Sequence, residues 1–220
     1  MARFQRKDLK RPDRFVTTTR SAIDWASHNR RQVGVVAGVI IAAGLTIAGV
    51  AATRSARVRQ ANEELAQGLN QLHSEKYVEA AVQLNDTGMR WDGTNAGAVA
   101  LLYSSQANLL AKNSDGAAAA AQKVVDEGDA PAYLLQQAWM TLAFVSEDKG
   151  DFGKAAEQYG KARAIEGPYS SSALLGEARA RERLGERDKA AQLFQSFVDE
   201  YPESKDQTYA AARLAELKAS

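Results

Sequence analysis

The chain has 220 residues, of which 45% are hydrophobic and 25% are charged, close to the averages of globular proteins. This composition argues against intrinsic disorder, and the lack of cysteine excludes disulfide bonds, thiolate metal sites and a cysteine nucleophile. The net charge of +1 conceals two opposite parts: nine basic and three acidic residues before position 33, then 16 basic and 24 acidic residues from position 60 onward.

Residues 33–53 are an apolar run that contains no charged side chain. About 21 residues at a rise of 1.5 Å make a helix of roughly 30 Å, the thickness of the hydrocarbon core of a bilayer. The run therefore predicts a transmembrane helix. A buried core helix is an alternative, although it would normally be shorter and have a polar face. A cleaved export signal is another, because Arg30-Arg31 resembles a twin-arginine motif, but the leader of about 32 residues is long for one.

The flanks of this run predict its orientation. Lys and Arg are more numerous before it than after it, so we expect residues 1–32 to be a basic cytoplasmic tail and the rest of the chain to cross the membrane. A polybasic segment beside a span favours contact with anionic lipid rather than nucleic acid. Inside the run, Gly34, Gly38 and Ala42 recur every four residues, which makes them candidates for close contact with another membrane helix.

Residues 54–220 show a helical repeat. The stretch QQAWMTLAFVSEDKGDFGKAAEQYGKARAIEGP, residues 136–168, has small, aromatic and turn residues at the spacing of a tetratricopeptide repeat. The pattern recurs as LGERDKAAQLFQSFVDEYP in residues 184–202, and weaker copies lie at 75–84 and 113–125. The sequence thus predicts an all-α fold: one N-terminal transmembrane helix, then an α-solenoid of about four hairpins and a capping helix near residues 207–219.

The first helix of each hairpin lines the concave face of such an array. Projecting the helical register onto that face gives seven candidate peptide-groove residues, which together form a mixed apolar and basic surface suited to an extended polypeptide. They are Tyr103, Leu110, Met140, Phe144, Leu175, Arg179 and Arg183. The aromatic residues Trp139, Phe152, Tyr159 and Phe194 are expected to be core.

Catalytic chemistry has no support in the sequence. The two histidines, His28 and His73, have no second His or Cys at the spacing of a metal site, and no glycine-rich phosphate loop follows a strand. We therefore expect no catalytic residue, no metal and no cofactor. The carboxylates lie on helix ends or polar faces, as solubilising charges do.

The layout as a whole resembles that of the YfgM-like ancillary subunits of the SecYEG translocon. At the residue level the resemblance depends on the repeat positions Trp139, Gly150, Ala155, Gly185 and Ala190. It implies a single-pass protein of the bacterial inner membrane whose periplasmic domain assists translocation and hands exported chains to periplasmic chaperones. The implied partners are the translocon, those chaperones and extended polypeptide.

Three other functions stay open at this point. A scaffold or accessory subunit of another cell-envelope complex would use the same groove and the same stripe of small residues. An import receptor of an organelle would need the opposite topology, and a hydrolase would need a convergent polar site. The repeat pattern specifies the fold and not the partner. The identity of the co-purifying partner therefore separates a translocon subunit from a scaffold of another complex.

Overall fold

The computed structural model of the protein describes residue 25, residues 27–128 and residues 130–219. Most of the predicted basic tail, residues 1–24, lies outside the described residues. In the described part the chain is helical without a strand, which confirms the all-α prediction. The helices are α1 Arg30–His73, α2 Tyr77–Arg90, α3 Asn95–Leu110, α4 Ser114–Glu127, α5 Ala132–Asp148, α6 Phe152–Arg163, α7 Ser170–Arg183, α8 Arg187–Glu200 and α9 Gln207–Ala219. The chain divides into two compact units, the first ending at Ala56 and the second beginning at Arg57.

The described part of the first unit is dominated by the apolar portion of α1. Its most apolar 18-residue window has a mean hydropathy of 2.4, and none of that window is buried. A core helix of a soluble domain would be mostly buried. The two hydroxyls of residues 33–53 bond inside the helix: Thr46 Oγ1 donates to the carbonyls of Ala42 and Ala43, and Thr53 Oγ1 donates to that of Val50. With its polar groups satisfied, this helix is long and apolar enough to cross a membrane.

The second unit is a stack of helical hairpins. The last turns of α1 pair with α2, where Leu65 and Leu72 pack against Ala80 and Leu84. Three further pairs follow, α3 with α4, α5 with α6 and α7 with α8. A small residue recurs on each second helix, and all four are fully buried: Ala80, Ala117, Ala155 and Ala190. The first helices carry small buried residues at one recurring position of the repeat: Gly68, Ser105, Ala143 and Ala178. Because these side chains are short, the two helices of each hairpin can touch.

The turn inside each hairpin needs a residue with positive φ. Gly150 and Gly185 hold this position in the last two hairpins, both at φ 78°. In the first two hairpins the same position is held by Glu75 and Lys112, at φ 59° and 58°. The sequence pattern identified the turns with glycine, whereas the other two adopt a conformation that L-residues rarely use.

The helix α9 closes the C-terminal end of the stack, as predicted. Its Ala210 and Leu214 lie in one buried cluster with Phe194 and Phe197 of α8. The ring of Tyr209 meets the ring of Phe194 edge-on, with centroids 6.3 Å apart. The predicted array of four hairpins and a cap is therefore confirmed.

Candidate peptide-binding groove

A cleft of about 330 Å³ opens where α3, α5 and the loop before α7 meet. We call it the tyrosine cleft. Its lining contains three tyrosines, two glutamines and three aliphatic residues: Tyr103, Tyr133, Tyr169, Gln106, Gln137, Val99, Leu102 and Leu134. None of these side chains carries a charge at neutral pH. Such a surface offers ring faces for apolar groups and hydroxyls and amides for hydrogen bonds.

The two tyrosines of the first helices remain accessible. Tyr103 of α3 is 38% exposed and Tyr133 of α5 is 48% exposed. Below them, Leu102 and Leu134 belong to the buried cluster that joins α3, α4 and α5. The rings are thus carried by helices whose opposite faces are locked into the core, which pre-organises them for binding.

The third tyrosine of the cleft is positioned by a buried glutamine. Gln136 of α5 is fully buried, and its Oε1 accepts the backbone N–H of Tyr169 at 3.0 Å. Its Nε2 donates to the carbonyl of Ile165 at 2.8 Å and contacts Ser170 Oγ at 3.2 Å. A Cβ on Gly167 would lie 2.5 Å from Gln136 Oε1. The α6–α7 loop therefore folds around this amide, which fixes the place of Tyr169.

The seven groove candidates fall into different environments. Tyr103 lines the tyrosine cleft, while Phe144 and Leu110 are 52% and 48% exposed on α5 and α3. Met140 is partly buried against the cluster that contains Tyr159. Leu175 is buried, because it lies in the same cluster as Leu214 of the capping helix.

The two arginine candidates, both on α7, differ in their contacts. The guanidinium of Arg183 stacks over the ring of Phe152 with 4.4 Å to the centroid. Arg179 Nη2 lies 3.9 Å from Glu147 Oε2, and its Nε is buried without a hydrogen-bond partner. Glu147 also accepts a hydrogen bond of 2.9 Å from the Tyr159 hydroxyl. The Glu147 carboxylate of α5 thus links Tyr159 of α6 with Arg179 of α7.

Burial raises the pKa of Tyr159, and its hydrogen bond to Glu147 raises it further. In the unfolded chain a tyrosine ionises near pH 10. The stability that the neutral phenol contributes is therefore fully present below pH 10 and is lost as the pH rises beyond it.

We expect the free energy of unfolding of the wild type to fall relative to that of Tyr159→Phe above pH 10. The slope is up to about 1.4 kcal/mol per pH unit, because one proton is released on unfolding. Denaturant titrations of both proteins between pH 8 and pH 11 measure it, and the other titrating groups cancel in the comparison. Parallel curves for the two proteins would show that Tyr159 does not act in this way.

Of the residues that line the tyrosine cleft, the sequence prediction included Tyr103 alone; among those it missed are Tyr133 and Tyr169, and it also missed Gln136, which positions Tyr169. Tyr133 and Tyr169 follow closely on Pro131 and Pro168, the prolines that end the preceding repeats. An aromatic residue within two positions of the terminal proline was a signal for the tyrosine cleft. Gln136 had no such signal, because a glutamine among apolar residues is usually on the surface.

Metal ligation finds no support in the part of the chain that the structure describes. No group of three or more His, Asp or Glu side chains there is placed to hold an ion. Neither His28 nor His73 is among the residues that line the tyrosine cleft.

Comparison with known proteins agrees with this fold. A tetratricopeptide repeat family model matches residues 172–204, nearly all of α7 and the whole of α8. No curated protein matches the chain. Together with the structural likenesses that follow, this match supports a tetratricopeptide-type protein-interaction module.

Solved structures of such repeats resemble the chain at low sequence identity. Two of them are crystal structures of nearly identical TPR-like repeats of a kinesin light chain-type protein from Podospora anserina. They have TM-scores of 0.57 and 0.58 at 14% identity, and the match covers 72% of this chain and 85% and 84% of those chains. The crystal structure of MamA protein has a TM-score of 0.54 at 24% identity, covering 68% of this chain and 76% of that one. These likenesses show the fold alone.

Proposed function

We propose that the protein is a membrane-anchored module that binds extended polypeptide, assists protein translocation and hands exported chains to periplasmic chaperones. The observation that carries the binding role is the tyrosine cleft, an uncharged pocket with two accessible aromatic rings on a tetratricopeptide-type domain. Exposed Phe144 on α5 adds an apolar contact for a side chain of the bound polypeptide.

The anchoring role is supported by the apolar portion of α1. Its length and composition fit a bilayer span, and the basic residues before it favour a cytoplasmic N-terminus beside anionic lipid. In this proposal residues 1–32 are the cytoplasmic tail, residues 33–53 cross the bacterial inner membrane, and residues 54–220 are the periplasmic domain. An uncharged cleft suits emerging chains, whose unfolded segments present apolar side chains and unpaired backbone groups.

The small-residue stripe of α1 supplies a surface for the membrane partner. Within the described residues, a Cβ added at Gly34 or Gly38 would meet nothing within 4 Å beyond the adjoining backbone of its own helix, and Ala42 continues the same face. We expect Gly38→Leu to insert normally and to lose the membrane partner on co-purification, because a bulky side chain keeps the helices apart.

Gly44→Leu is the matched control for this substitution. Gly44 is equally open, but six residues further on it faces about 120° away from the stripe. It should keep the partner. If both variants retain the same partner profile, the stripe is not an interface.

Mild-detergent extraction of the full-length protein from its native membrane, followed by mass spectrometry, tests the proposed partners. Translocase subunits with periplasmic chaperones are the expected result. A different envelope complex, recovered reproducibly and lost in Gly38→Leu, would replace the translocation role by that of a scaffold subunit. The peptide-binding role would then need its own test at the cleft.

A further inference from the structure

A second groove of about 710 Å³ lies on the first hairpin, between α1 and α2, away from the tyrosine cleft. We call it the outer groove. Residues of both helices line it, among them Glu63 and Gln67 of α1 and Val78, Glu79, Val82 and Asp86 of α2. All of them belong to the second unit of the chain. Nothing in the proposed peptide-binding function uses this surface.

Within the part of the chain that the structure describes, no helix covers the first-helix side of the outer groove, whereas the equivalent surface of later hairpins is covered. In the next hairpin the position of Gln67 is Ser104, which is fully buried and donates to the carbonyl of Ala81 on α2. In the last hairpin it is Glu177, which is buried and pairs with Arg163 of α6 at 2.9 Å. In both cases the preceding hairpin covers the position. Among the described residues no hairpin precedes the first one, and Gln67 is exposed.

The second-helix side carries two valines where the other repeats are polar or small. Val78 and Val82 are 65% and 58% exposed. The equivalent residues of α4, α6 and α8 are Asp115 and Ala119, Gly153 and Glu157, and Asp188 and Gln192. An end surface that served only for solubility would be polar here as well. The two valines instead form an apolar ridge at the edge of the groove.

The rim of the outer groove is negatively charged. Glu64 is paired with Arg90 at 3.0 Å and accepts the indole N–H of Trp91 at the same distance. The carboxylates of Glu63, Glu79 and Asp86 are exposed and form no salt bridge within the described residues. Three uncompensated carboxylates around an apolar ridge are complementary to a basic amphipathic surface.

From these observations we infer that the outer groove docks a basic amphipathic helix of a partner protein. The occupant is a helix because helices cover the equivalent surface in the other hairpins. Its apolar stripe would cover Val78 and Val82, and its Lys or Arg residues would face Glu63, Glu79 and Asp86. This site is separate from the tyrosine cleft and does not depend on what the cleft binds.

Binding of a synthetic helix tests the inference. The full-length protein in discs of zwitterionic lipid is titrated into a fluorescent Ala–Lys helical peptide with a Leu stripe, and binding is followed by anisotropy. Glu63→Lys with Glu79→Lys should weaken binding about fivefold or more, since two attractive charges become repulsive. Val78→Ser with Val82→Ser should weaken it as well, and added salt should weaken binding to the wild type.

The matched control is Glu157→Lys with Asp188→Lys, two exposed acids at the repeat positions of Val82 and Val78. It changes the net charge equally, and partition of the peptide into the disc is common to all variants. Equal binding by test and control variants would overturn the inference, as would equal binding of a peptide with Glu in place of Lys. The inference would also be overturned if the chain self-associates and the double variant Glu63→Lys with Glu79→Lys abolishes that self-association. The outer groove would then be assigned to a second copy of the chain.

Discussion

Phe194→Ala should lower the free energy of unfolding of the C-terminal hairpin by about 3 to 5 kcal/mol, the usual loss for removing a large buried aromatic side chain. Phe194 is fully buried between α8 and α9, and the edge-on contact with Tyr209 disappears with it. Because each repeat touches only its neighbours, the loss should be concentrated in α8 and α9. Hydrogen exchange measured by mass spectrometry should show protection of α9 falling about a hundredfold or more.

Phe144→Ala is the control for this prediction, because it makes the same chemical change at a site that is 52% exposed. It should cost less than about 1 kcal/mol, as surface substitutions do. Equal loss of protection in the two variants would contradict the placement of Phe194 in the core and of Phe144 on the exposed surface.

Gln136→Leu is the second substitution with a large expected effect. Leucine is close in size but leaves the N–H of Tyr169 and the carbonyl of Ile165 without their buried partner. Each of the two orphaned groups costs roughly 1 to 3 kcal/mol, so we expect a loss of about 2 to 6 kcal/mol. The α6–α7 loop should loosen, and Tyr169 should leave the tyrosine cleft.

Denaturant unfolding of the full-length protein in mild detergent, followed by tryptophan fluorescence, measures the loss because Trp139 lies one turn from Gln136 on α5. The neighbouring Gln137→Leu is the control: Gln137 is partly exposed in the cleft, so its amide is solvated in both states. If Gln136→Leu unfolds at the same denaturant concentration as Gln137→Leu, the buried amide does not hold the loop.

The fold could be predicted because its contacts depend on residues whose size is visible in the sequence. Ala155 and Ala190 mark the places where two helices touch, and Gly150 and Gly185 mark the turns. The earlier hairpins gave weaker signals for a physical reason. Their turns use Glu75 and Lys112, which no turn rule favours.

The site could be predicted only in part. Register placed Tyr103 and Phe144 on accessible surface, but it could not tell that Leu175 shares a cluster with the capping helix. An error of one residue rotates a helical position by about 100°, which is enough to exchange groove and core. The contribution of Tyr169 depends on a loop folded around Gln136, and such a long-range hydrogen bond leaves no periodic pattern.

The two proposals assign the two grooves of the second unit to different ligands. The tyrosine cleft is uncharged and suits an extended chain, whereas the outer groove is acidic and apolar and suits a helix. A handover function needs such a division, because a stable partner and a transient substrate must be bound at the same time without competing.

Site-specific photo-crosslinking tests the central claim, that the tyrosine cleft receives exported polypeptide. A photoreactive amino acid is placed at Tyr133 or Phe144 of the full-length protein in native membranes, with exposed Glu157 of α6 as the control position, and an exported chain is arrested during translocation. The account predicts adducts with the arrested chain from Tyr133 and Phe144 and none from Glu157. Absence of adducts at both Tyr133 and Phe144, or equal adducts at all three positions, would contradict it.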